Sequence, residues 1–66
     1  GDMNKILELA AELEQLKIGD VMSRLNWNHE RSQLVLKDLV KNNIAKKSSK
    51  YSEGEIYYFP GLEKGG

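Results

Sequence analysis

The chain has no cysteine, one proline, one histidine and one tryptophan in 66 residues. Without cysteine, neither a disulfide framework nor a thiolate zinc site can staple the fold. That absence fits a reducing compartment, so the expected location is cytoplasmic or otherwise intracellular. His29 stands alone, with no paired acidic residue at ligand spacing, and neither a metal nor another cofactor is expected. No apolar run approaches the ~18 residues needed to span a bilayer, and no signal peptide is visible. Membrane insertion by this segment is therefore not expected. There is no glycine-rich phosphate loop of the required spacing. The carboxylate pairs Glu12/Glu14 and Glu53/Glu55 fall on polar surfaces. A chain this short has little room for a ligand cavity of roughly 300 Å³ or more. An enzyme is not expected.

Net charge is zero, which is weak for an autonomous DNA binder, but the charges are unevenly placed. Residues 1–20 set Lys5 and Lys17 against Asp2, Glu8, Glu12, Glu14 and Asp20. Residues 21–50 set Arg24, Arg31, Lys37, Lys41, Lys46, Lys47 and Lys50 against only Glu30 and Asp38. Residues 51–66 set Lys64 against Glu53, Glu55 and Glu63. An acidic beginning and a basic middle make a dipolar domain whose basic part could meet phosphate. The plainer alternative is a solvated surface with ordinary charge scatter.

This length allows one domain with a thin core, at a net stability of roughly 3–5 kcal/mol. The expected ordered core covers residues 3–60, with 61–66 as a tail or linker. Residues 3–16 carry Ile6, Leu9, Ala10, Leu13 and Leu16 at helical spacing, broadened by Leu7. A strand stub is expected at Lys17-Ile18, and Gly19 should break the run. Asp20 is the candidate cap of a short second helix over 21–25, with Val21, Met22 and Leu25 as its buried residues. Asn26 suits a left-handed turn position. Asn28 is the candidate cap of a third helix reaching about residue 42, and Glu30 suits the positive end of that helix's dipole. Ser32, Leu36, Leu39, Val40 and Asn43 share one face, and Asn43 falls where a left-handed C-terminal cap is needed. Strands are expected over 44–49 and 55–59, joined by a Tyr51-Ser52-Glu53-Gly54 turn in which Gly54 supplies positive φ. Pro60 should end the second strand.

Residues 18–60 resemble the winged-helix (winged helix-turn-helix) superfamily. The resemblance lies in Leu36-Lys37-Asp38-Leu39-Val40-Lys41-Asn42-Asn43-Ile44-Ala45, which matches the end of a recognition helix and the start of a wing. The closing run Ile56-Tyr57-Tyr58-Phe59-Pro60 matches the return strand. The resemblance implies an α+β fold of three helices followed by a two- or three-stranded wing. It also implies a binding module, and the family includes both DNA readers and purely protein-contacting subunits.

Two readings of the partner follow. In the leading one the partner is DNA: Asn28, His29, Ser32 and Gln33 lie nearest the base edges, with Arg31 beside them, and Lys37 and Lys41 contact the backbone. A wing of Lys46, Lys47 and Lys50 then follows phosphate. The plainer alternative is an edge strand blunted by lysines against aggregation. In the second reading the module docks on protein, as part of a larger polypeptide or complex. Leu34 and Val35 would then be apolar residues on the outward face of the third helix, Asp38 would repel phosphate, and Tyr57 would be an exposed aromatic. If the rotational register differs, Leu34 and Val35 are core instead. Homodimerisation through the first helix or the wing is a third reading. Trp27 is either a partner anchor or, by its apolar area, a residue that closes the core.

Overall fold

Asparagine and aspartate residues mark several of the helix ends. A computed structural model describes residues 1–13, 15–50 and 54–63, with the side chains of Lys50 and Glu63 outside that description. Its elements are α1 (Asp2–Glu12), β1 (Gln15–Leu16), α2 (Ile18–Leu25), α3 (His29–Lys41), β2 (Lys46–Lys50), β3 (Gly54–Tyr58) and the single turn α4 (Pro60–Glu63). Asn28 caps α3 as its sequence position predicts, its Oδ1 accepting from the Arg31 N–H at 2.8 Å. Asn26 ends α2 in the left-handed region at φ 59°. Asn43 does the same after α3 at φ 62°. There the Asn43 N–H donates to Val40 O and the Ile44 N–H to Leu39 O, at 3.0 and 2.9 Å. Those two bonds form a Schellman cap, satisfying carbonyls that the helix end would otherwise leave unpaired.

The start of the chain departs from the expected pattern. The first helix ends at Glu12 rather than 16, and Leu13 turns to extended backbone at φ −111° and ψ 122°. The helical stripe and a strand both bury Leu16, and pairing decides between them. Gln15 and Leu16 align with Tyr58 and Tyr57 of β3, so the stub lies at 15–16 instead of 17–18. Ile18 instead opens α2, which also takes Gly19 into its first turn. Asp20 is thus the third residue of the helix and not its N-cap. It still satisfies a free amide, accepting from the Lys17 N–H at 3.0 Å.

The sheet is antiparallel in the order β1-β3-β2. Lys46, Lys47, Ser48, Ser49 and Lys50 pair with Tyr58, Tyr57, Ile56, Glu55 and Gly54. β2 starts two residues later than expected, because the Schellman cap holds Ile44 and Ala45. Gly54 has φ 76°, the positive value expected of it, while Tyr51, Ser52 and Glu53 of the expected turn lie outside the described residues. Pro60 ends β3 and opens α4, its missing N–H costing nothing at a helix start. The expected tail therefore begins later than residue 61.

The core lies between the helices and one face of the sheet. Ile6, Leu9 and Ala10 of α1 meet Val21, Leu36, Leu39, Leu16, Tyr57 and Phe59. Trp27 joins them, only 8% exposed, so it closes the core. Ile56, on the other side of the pleat, is also fully buried. No helix among the described residues is long and apolar enough to cross a membrane. The result is an α+β domain of winged-helix shape, with a third strand that precedes the helix-turn-helix.

Two substitutions test this packing. Leu39→Ala should cost about 2–4 kcal/mol, which approaches the whole stability of so small a domain. Its urea midpoint should collapse toward zero. Asn43→Gly should be neutral or stabilising by up to about 1 kcal/mol, because glycine occupies the left-handed region without strain. An equal loss in both variants would contradict the cap described here.

Candidate nucleic-acid interface

The residues nominated from sequence separate into four groups in space. The first is structural. Ser32 is fully buried, and its Oγ donates to the Asn28 carbonyl at 2.9 Å. It cannot reach a base edge, because the core face of α3 claims it. Asn28 is exposed, but its Oδ1 is committed to the α3 cap.

The second group is a clamp at the start of α3. Arg31 donates from Nε and Nη2 to the two carboxylate oxygens of Asp2, at 3.2 and 2.9 Å. Its guanidinium also lies over the Trp27 ring, 4.3 Å from the centroid. This bidentate, stacked geometry uses the rigid fork that distinguishes arginine from lysine. The hydrogen bond from Arg31 is the main reason the Asp2 carboxyl is held below the ordinary aspartate range, and the same contact raises Arg31. Sequence reasoning missed the pair because 29 residues separate its members.

The third group lines an open groove of about 220 Å³ between α3 and the hairpin. Gln33, Lys37 and Val40 form one wall, and Lys47, Glu55 and Tyr57 the other. The strand register explains the second wall. Lys47 faces Tyr57 and Ser49 faces Glu55, so Lys47, Tyr57 and Glu55 share a sheet face. That face also carries Leu16 opposite Tyr57, and so it turns toward the helices. Tyr57 is 5% exposed and is not the exposed aromatic that the protein-docking reading assumed. Its hydroxyl donates to Glu55 Oε1 at 3.3 Å. Burial, with help from the Glu55 charge, raises its pKa above the ordinary tyrosine value. Glu55 Oε2 lies 3.8 Å from Lys47 Nζ. Lys41 is exposed one turn beyond Lys37 and extends the same flank of α3. Glu55 and Val40 were not nominated from sequence, since only the folded register brings them to this groove.

The fourth group faces elsewhere. Lys46 pairs with Tyr58 and stands on the opposite sheet face from Lys47, so the wing lysines do not form one patch. His29 is exposed in the first turn of α3. Leu34 points outward at 60% exposure, while Val35 is half-buried and packs on the core. The two apolar residues therefore have different roles. The side chain of Lys50 lies outside the described residues. Among the described residues no group of three or more His, Cys, Asp or Glu side chains could hold a metal ion.

Fold and groove together define a small α+β domain of winged-helix shape with lysines on both sides of a cleft. Comparison with protein-family models and with curated proteins yields no match.

The clamp has a pH signature. A carboxyl whose folded pKa is depressed contributes stability above its unfolded pKa, about 3.9, and loses it as pH falls through the folded value. Asp2→Asn should therefore lower the melting temperature slightly at neutral pH. The difference from the parent chain should begin to shrink below the unfolded value and disappear as pH falls through the lower folded one. A difference that persists unchanged into acid would assign the effect to something other than the Arg31 contact.

Proposed function

We propose that the domain is a nucleic-acid-binding module that holds a phosphate backbone in the groove between α3 and the hairpin. The observation that supports this most is the disposition of Lys37 on one wall and Lys47 on the other, with Lys41 exposed one turn beyond Lys37. Among the described residues Lys37 and Lys41 have no ion-pair partner, and Lys47 has only the exposed Glu55. Exposed ammonium groups on two sides of a cleft suit a chain of phosphates. Gln33, one turn before Lys37 on the same wall, is a further donor. A protein-docking reading is favoured by one observation, the 60% exposure of Leu34 on the outward face of α3.

The sheet supplies an internal control, because Lys46 and Lys47 are neighbours in sequence but face opposite ways. In a titration of the labelled chain with a short duplex, shifts should cluster over residues 33–41 and 46–49 and shrink as salt is raised. Lys47→Glu should weaken binding about five- to tenfold and reduce the salt dependence by roughly one phosphate. Lys46→Glu should leave both nearly unchanged. Equal effects at the two positions would remove the groove from the mechanism.

Leu34→Asp separates the second reading. Its exposure predicts a change in folding stability within about 0.5 kcal/mol. Loss of binding to a partner protein, with duplex affinity retained, would move the function to the outward face of α3.

A further inference from the structure

We infer that the domain recognises nucleic acid through its phosphates and not its bases, so that it binds without sequence preference. This rests on the nucleic-acid reading above and specifies its ligand class. Direct readout in a major groove needs free, forked hydrogen-bonding groups. Arginine serves guanine, and asparagine or glutamine serves adenine. The fold consumes most of those groups on α3. Arg31 spends its fork on Asp2 while stacked on Trp27. Asn28 commits its carbonyl oxygen to the helix cap. Ser32 is buried and bonded to the backbone. Leu34, exposed at mid-helix, is apolar.

Gln33 and His29 are the neutral polar side chains left exposed on α3. Gln33 lines the lysine groove, where the nucleic-acid reading puts phosphate rather than a base. The remaining donors are lysines, which act as point charges and suit backbone contact better than base-edge readout. Glu55 tempers that charge. It sits in the same groove, 3.8 Å from Lys47, and an incoming phosphate must displace it.

The test measures fluorescence anisotropy of the whole chain with three duplexes of equal length and unrelated sequence, over a range of salt. The expected result is affinities equal within about threefold and a slope of log affinity on log salt near −3, for three lysine-phosphate contacts. Glu55→Gln should tighten all three duplexes by the same factor, about two- to fivefold. One duplex held about 30-fold or more tighter than the others would reveal base readout. That would overturn this inference while leaving the nucleic-acid reading intact. A Glu55→Gln gain confined to one duplex would overturn it in the same way. No binding to any duplex at low salt would instead remove the nucleic-acid reading, and this inference with it.

Discussion

The pairing of Gln15 and Leu16 with Tyr58 and Tyr57 sets the geometry of everything that follows it. It stops α1 at Glu12, although the apolar stripe continues. It also places β3 between two partners, so that the strand is central rather than the free arm of a hairpin. Once Leu16 lies opposite Tyr57 on the core side, alternation fixes every other side chain of the sheet. Tyr57 and Phe59 enter the core, Lys47 turns toward α3, and Lys46 turns away. A slip of one residue would turn Lys47 outward and bring Lys46 and Ser48 to the groove face. Two residues of strand thus determine which cation the cleft presents.

Features governed by local backbone chemistry were readable in the sequence. Asn26 and Asn43 take the left-handed backbone expected of them, Asn28 caps α3, and Gly54 has the expected positive φ. Their roles depend on their own φ or on an amide three residues away, and neither requires knowledge of the fold. Features decided by tertiary pairing were not readable. Leu16 satisfies a helical stripe as well as a strand. Asp20 can cap from the N-cap or from the third helical position. Pro60 is consistent with a stop and with a helix start. At the candidate site, the lysine positions were evident but their faces were not, because a basic run such as Lys46-Lys47 carries no signal of which lysine points inward.

Charge shows the same difference between sequence and space. Along the chain the acidic beginning and the basic middle are separate blocks. Folding interleaves them. Asp2 pairs with Arg31, Glu12 with Arg24 at 3.8 Å, and Glu55 with Lys47. All six side chains are partly exposed, so each pair adds little to stability. Their larger effect is on the surface field. The basic middle segment loses two arginines and part of one lysine to its acidic flanks. On the groove side this leaves Lys37 and Lys41 along one flank of α3 and Lys47 on the facing strand, while Lys46 stands on the opposite sheet face.

That distribution bears on how a duplex would approach. Pressing the outward face of α3 into a major groove would set Leu34 against base edges. The bases would surrender water without gaining hydrogen bonds, and unpaired buried polar groups are costly. Asp38, exposed on the same helix, would add repulsion against the backbone. Approach from the hairpin side avoids the first penalty, although Asp38, three residues before Lys41, stays near the contact. Lys37, Lys41 and Lys47 then meet phosphate first, and Leu34 remains at the margin of the contact. A helix that lies along the backbone in this way gains electrostatic attraction at every step of the duplex. It gains nothing that distinguishes one step from the next. The same arrangement leaves Leu34 free, so a protein could occupy the outward face of α3 while the groove is filled.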